Sequence, residues 1–192
     1  MHKMKVLLTA GALVLASSFA WAQKMDTSKS KIGDVPDRIF FEKAAEGGMA
    51  EVKLGQLATQ KAQSPQVKQF AQRMIDDHSR ANDELKQIAE KKQMTMPTAI
   101  ETKDQALYSK LSKLNGQDFD KQYMQAMAKD HDQVVADFRK EASQGQDEEL
   151  RQFASKTLPT LEQHDRMAKD IQSGRANQVD TNQDNAQPMH RR

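Results

Sequence analysis

Residues Phe70–Ala89 read FAQRMIDDHSRANDELKQIA, and with Val67 they set Val67, Ala71, Met74, His78, Ala81, Leu85 and Ile88 at alternating steps of four and three. That rhythm is the buried stripe of an amphipathic helix packed against other helices. One member of the stripe, His78, is ionisable and stands at its middle. Three further segments repeat the design: Phe40, Ala44, Gly47, Glu51, Leu54 and Ala58; then Met124, Met127, His131, Val134 and Phe138; then Leu150, Ala154, Thr157, Leu161, His164, Ala168 and Ile171. The fold class is therefore all-α, a four-helix bundle with one ionisable residue near the centre of each buried face.

Turn chemistry sets the boundaries. Asp34 caps the first helix with Pro36 in its opening turn, and Ser64-Pro65 restarts the chain for the second, which runs to about Lys92. The stretch QMTMPT (93–98) ends it, because the residue before Pro97 is biased away from helix. A short extra helix within 101–114, with Leu107, Leu111 and Leu114 on one side, occupies the connection to the third helix and breaks at Asn115-Gly116. The third helix spans about 117–143. Gly145-Gln146-Asp147 turns into the fourth, where Glu148 and Glu149 complement the dipole of the first turn. Pro159 is expected to kink or split that helix by releasing the Ser155 carbonyl. Gly47-Gly48 would weaken a helix by up to about 1 kcal/mol per residue. The pair is read as a close approach of the second helix near Ala71, so that Gly47→Leu would overpack, a local kink being the alternative.

The start reads as a targeting segment. His2, Lys3 and Lys5 precede an apolar run, and Ala20-Trp21-Ala22 is the small-x-small pattern of a signal-peptidase site before Gln23. The expected organisation is a cleavable signal peptide at 1–22, a flexible leader at 23–33, the bundle domain at 34–173 and a disordered tail at 174–192. Loss of Lys3 and Lys5 leaves 27 basic against 27 acidic residues, which removes the charge excess on which nucleic-acid binding depends. Cysteine is absent, excluding disulfides, thiolate ligands, Cys nucleophiles and a lipidated N-terminal Cys. No later segment is long and apolar enough for a membrane span, so the expected location is periplasmic or secreted, without a lipid anchor. The composition leaves a homo-oligomer open.

The four ionisable stripe residues fall at one level. Glu51 lies 15 residues past Pro36, His78 14 past Ser64, His131 14 past Gln117 and His164 17 past Asp147. At about 1.5 Å per residue these depths agree within roughly 5 Å whichever way each helix runs. Three imidazoles and a carboxylate in one layer suit copper, zinc or iron. Met74, Met127 and Met167 sit one turn from the three histidines, and thioether ligation would point to copper(I). A hydrogen-bonded histidine–carboxylate network with Glu51 accounts for the same residues without a metal, and Met stripes are ordinary core filler. Buried together, the histidines would be held neutral with depressed pKa values. Apo stability should then fall between about pH 6.5 and 5, and any metal effect should be weak by pH 5. Asp76, Asp132 and Asp165 read as solvated flanking charges, with Asp77 or Asp130 placed to turn inward. Ser79 and Ser155 lie on other helix faces than the histidines, the seam holds Thr157 but no Ser, and no phosphate loop is present, so no catalytic residue is assigned.

The strings FEKAAEGGMAEVKLGQLATQKAQSPQVKQFAQRMIDDH, FDKQYMQAMAKDHD and FASKTLPTLEQH closely resemble the family called domain of unknown function 4142, exported bacterial proteins often labelled outer-membrane proteins. The resemblance covers roughly 36–172 and implies a ferritin-like bundle with no established activity. The wider ferritin-like resemblance suggests a di-iron site built on Glu-x-x-His pairs. Here the residues three before the histidines are Ile75, Ala128 and Leu161, so that pair is missing. Two functions stay open: a non-enzymatic envelope stress or binding protein, and a periplasmic transition-metal-binding protein with Glu51, His78, His131 and His164 as ligands.

Overall fold

The computed structural model describes residues 35–175. The signal peptide, the leader, the Asp34 cap and all but the first two residues of the expected tail lie outside the described residues. Five helices and no strand occur among them: α1 (Val35–Lys61), α2 (Pro65–Lys92), α3 (Thr102–Leu111), α4 (Gly116–Gln144) and α5 (Glu148–Gln172). α1, α2, α4 and α5 form the ferritin-like bundle, with α3 in the connection between α2 and α4.

Polar ties at the two ends give the helix directions. At one end Asp37, in the first turn of α1, accepts from the backbone N–H groups of Gln146 and Asp147, and Lys92 at the end of α2 pairs with Asp147 at 2.6 Å. At the other end the Asp120 carboxylate of α4 accepts from the N–H groups of Gln63 and Ser64, and Lys61 donates to Asn115. α2 and α4 therefore run parallel, and residues 93–115 return along the length of the bundle. Ser64 occupies the N-cap position of α2 but makes no side-chain capping bond; Asp120 satisfies that end instead. Asp147 does cap α5, accepting from the N–H groups of Glu149 and Leu150. The leucines of the connection, Leu107, Leu111 and Leu114, pack onto the bundle's own core.

The core is divided. One apolar cluster, with Leu54, Phe70, Met74, Leu111, Phe119, Tyr123 and Met127, fills the half nearest the α1–α2 turn. A second, with Phe40, Phe41, Leu85, Phe138, Phe153 and Leu161, fills the half nearest the α4–α5 turn, where the Phe40 and Phe138 rings meet edge to face at 4.9 Å. Glu51, His78, His131 and His164 lie between the two.

Two expectations are corrected. α5 is not split at Pro159: the helix is continuous through it, with Pro159 and Ser155 both exposed so that water can satisfy the carbonyl that the ring frees. The close approach of α1 to α2 is made at Gly48 and Gly55, not at Gly47. A Cβ on Gly47 would meet nothing within 4 Å; one on Gly48 would strike the Asn82 side chain, and one on Gly55 would lie 3.0 Å from the Ala71 carbonyl oxygen and 2.9 Å from Ile75 Cγ1. Backbone cannot step aside as a flexible side chain can. Gly55→Leu is thus expected to destabilise by about 1–3 kcal/mol or more. Gly47→Leu should be neutral or gain up to about 1 kcal/mol of helix propensity. Urea unfolding of the two variants checks this, and equal midpoints would refute the assignment.

Candidate metal centre

α2, α4 and α5 each bring one histidine to the boundary between the two apolar clusters. The ring centroids form a near-equilateral triangle: 5.9 Å for His78–His131, 5.5 Å for His78–His164 and 5.6 Å for His131–His164. All three are buried, with His131 and His164 at 1% and 0% exposure. One ring nitrogen from each lies within 4.8 Å of those of the other two.

Hydrogen bonding orients two of the rings. His131 Nδ1 lies 3.0 Å from the Met127 carbonyl oxygen. A carbonyl only accepts, so Nδ1 carries the proton and Nε2 is a bare lone pair. His164 Nε2 lies 2.8 Å from an Asp77 carboxylate oxygen, so a neutral ring donates there and keeps its lone pair on Nδ1. Those two lone pairs, together with His78 Nε2, are buried and have no hydrogen-bond partner among the described residues. Each oriented ring thus has its far nitrogen held by an acceptor and its other nitrogen unengaged, the arrangement found behind metal-ligating histidines.

Burial holds all three rings below the ordinary imidazole value. For His78 the displacement is large, and charge on His131 or His164 would add to it. His131 falls to about 4, mainly by desolvation and then by His164, with Asp130 opposing. His164 is also lowered by burial, while its bond to Asp77 works the other way. At neutral pH the triangle presents uncharged nitrogen donors.

Glu51 joins the layer on its other side. With Asp130 and His131 it forms a second group whose ligand atoms lie within 4.8 Å of one another, and it is not part of the histidine triangle. Burial, then the neighbouring Asp130 carboxylate, holds the Glu51 carboxyl well above the usual carboxylate range, which favours its neutral form. The sequence pattern did not reveal two neighbours. Asp104, brought over from α3, is buried and its pKa is raised by desolvation. Tyr123 keeps its hydroxyl buried without a partner. Heptad reasoning passes over both, since one lies on the crossover and the other reads as an ordinary aromatic core residue.

The flanking groups divide as their positions on the helices require. Asp77 turns to His164 and Asp130 to Glu51. Asp76 bonds Gln72 on the surface, and Asp132 and Asp165 both pair with Lys169. Met74 and Met127 are fully buried in the adjoining cluster. Met167 is directed elsewhere: its sulfur accepts from the Arg73 guanidinium at 3.4 Å. A copper site drawing on three methionines is therefore not assembled as it stands.

Comparison with known proteins gives a family and a fold. No curated protein matches the chain. Two solved structures share its architecture. One is a DUF305 protein from Streptomyces coelicolor, a presumed secreted protein, 13% identical with a TM-score of 0.63 over 73% of this chain and 92% of its own. The other is a DUF305 fragment from Deinococcus radiodurans, also 13% identical, with a TM-score of 0.65 over 74% of this chain and 98% of its own. At that identity they bear on the fold alone. The sequence profile of a domain of unknown function, DUF4142, spans residues 22–171, and the chain belongs to that family.

Proposed function

We propose that this chain is an exported, non-enzymatic metal-binding protein of the cell envelope whose His78–His131–His164 centre takes one divalent transition ion. The observation that carries the reading is the set of three converging, buried imidazoles, each with a ring nitrogen that nothing among the described residues engages. Buried polar groups are normally paired, and a histidine–carboxylate network would have paired these. Asp77 pairs with only one of them, and Glu51, though a carboxyl oxygen lies within 4.8 Å of a His131 nitrogen, makes no hydrogen bond to the triangle among the described residues. Three neutral imidazoles with one position left open suit zinc, copper(II) or iron(II). Export is supported by the leader pattern; among the described residues no helix is long and apolar enough to cross a membrane.

Metal analysis of protein purified from its native compartment should find about one transition ion per chain, with His78, His131 and His164 as ligands. Asp77→Asn replaces the acceptor that orients His164 with a group that can also donate, and should weaken binding by about 10–100-fold without unfolding the chain. Protein with no metal after purification and no binding by isothermal titration would return the centre to a structural role.

A further inference from the structure

The half of the bundle between the histidine layer and the α4–α5 turn is open on one side. α1 and α4 touch sparsely, and residues of both line a cavity of about 420 Å³ in this half. That is within the size range of small-molecule sites. Its walls are apolar, from Phe40, Ala44, Val134, Phe138 and Leu161. Glu51, His78 and His131 form its floor, each more than nine-tenths buried and each presenting an atom without a partner: Glu51 Oε2, His78 Nε2 and His131 Nε2. His164 does not line it. Charged groups of both signs also line it, Lys43 and Lys140 against Asp37, Asp137, Glu141 and, beside Glu51 and His131, Asp130.

We propose that this cavity admits a small organic molecule with an apolar body and an anionic oxygen head, a medium-chain carboxylate being the simplest, and seats the head on the position of the metal centre that faces the groove. The inference rests on the metal reading above. Three neutral imidazoles put no charged ligand on a dication, and Asp77 reaches it only through the His164 ring, so in a low-dielectric interior an anionic donor on the ion itself is favoured over water. Glu51 is the chain's own candidate for that role: a carboxyl oxygen lies within 4.8 Å of a His131 nitrogen, but Glu51 is not grouped with His78 and His164. The apolar walls then reward a ligand in proportion to the methylenes it buries.

Cobalt(II) loaded into the full chain reports on the position through its visible spectrum. Octanoate should perturb that spectrum at a concentration at least about tenfold lower than acetate does. Gly47→Phe fills the groove from a position where a side chain meets nothing within 4 Å. It should erase the difference between the two carboxylates and leave the cobalt spectrum of the ligand-free protein unchanged. Equal potency of octanoate and acetate, or no response to either in protein that has taken up cobalt, overturns the groove inference and leaves the metal reading standing. A response that appears only in Glu51→Gln also overturns it, because Glu51 then fills the position itself. If cobalt fails to load, both fall together.

Discussion

Excess zinc added to the apo protein at pH 7.5 is expected to raise its melting temperature by roughly 10 °C. A ligand at a thousand times its Kd contributes about 4 kcal/mol, and a chain of this size gains about 2–4 °C per kcal/mol. His78→Ala should abolish the shift, since two imidazoles rarely hold the ion at comparable strength. The pH dependence separates a buried centre from a surface one. Metal must compete with protons only where the folded site binds them. Surface imidazoles would lose the ion through about pH 6.5, but His131 titrates at about 4 and His78 and His164 are depressed as well. The zinc shift should therefore persist below pH 6.5 and be gone by about pH 4, where His131 itself takes up a proton. Scanning calorimetry across that range decides it: no shift with any first-row metal would end the metal reading, and collapse near pH 6.5 would place the ion elsewhere.

Glu141→Gln is expected to stabilise the protein at pH 8 by up to about 3 kcal/mol and to leave it unchanged near pH 4.5. Glu141 is buried against Asp37, Asp147 and Gly145, with one carboxyl oxygen unpartnered. Desolvation and then the charge of Asp37 push its pKa up from 4.5 to about 7, while Arg151 and Lys140 offset only part. A carboxyl whose folded pKa is raised contributes stability that is complete below its unfolded value and lost as pH rises through the folded one. Each unit corresponds to about 1.4 kcal/mol, which bounds the effect. The amide keeps the shape and never ionises. Urea midpoints of both proteins at pH 4.5 and 8 measure the difference, and a variant less stable at pH 8 would refute the assignment.

The same reasoning tempers the acid sensitivity of the wild type. The three histidines, depressed on folding, contribute stability that is full above about pH 6.5 and declines as pH falls toward their folded values. Glu51 and Glu141, raised on folding, slope the opposite way over much of that window. The apo profile between pH 5 and 6.5 is thus flatter than the histidines alone would make it, and Glu141→Gln should steepen it.

The central layer was legible before any coordinates because a helix rises by a constant amount per residue. Counting from Pro36, Ser64, Gln117 and Asp147 gives the depths of Glu51, His78, His131 and His164 in any up-down arrangement, and the four do lie at one level. Helix limits followed from the same local chemistry: Pro65 at the first position of α2 and the Gly145-Gln146-Asp147 turn into α5, where Asp147 is the cap. Depth along an axis is a one-dimensional property, but rotation about it is not. A residue's neighbour lies about 100° away, so small differences in helix packing decide which flanking group turns inward. Only the tertiary structure turned Asp77 to His164 and Asp130 to Glu51, and set Gly55 rather than Gly47 against α2. It also carried Asp104 over from the crossover, left α1 and α4 apart above the histidines, and buried Glu141 beside two carboxylates. Those outcomes depend on how whole helices pack against one another, which no periodicity within a single helix encodes.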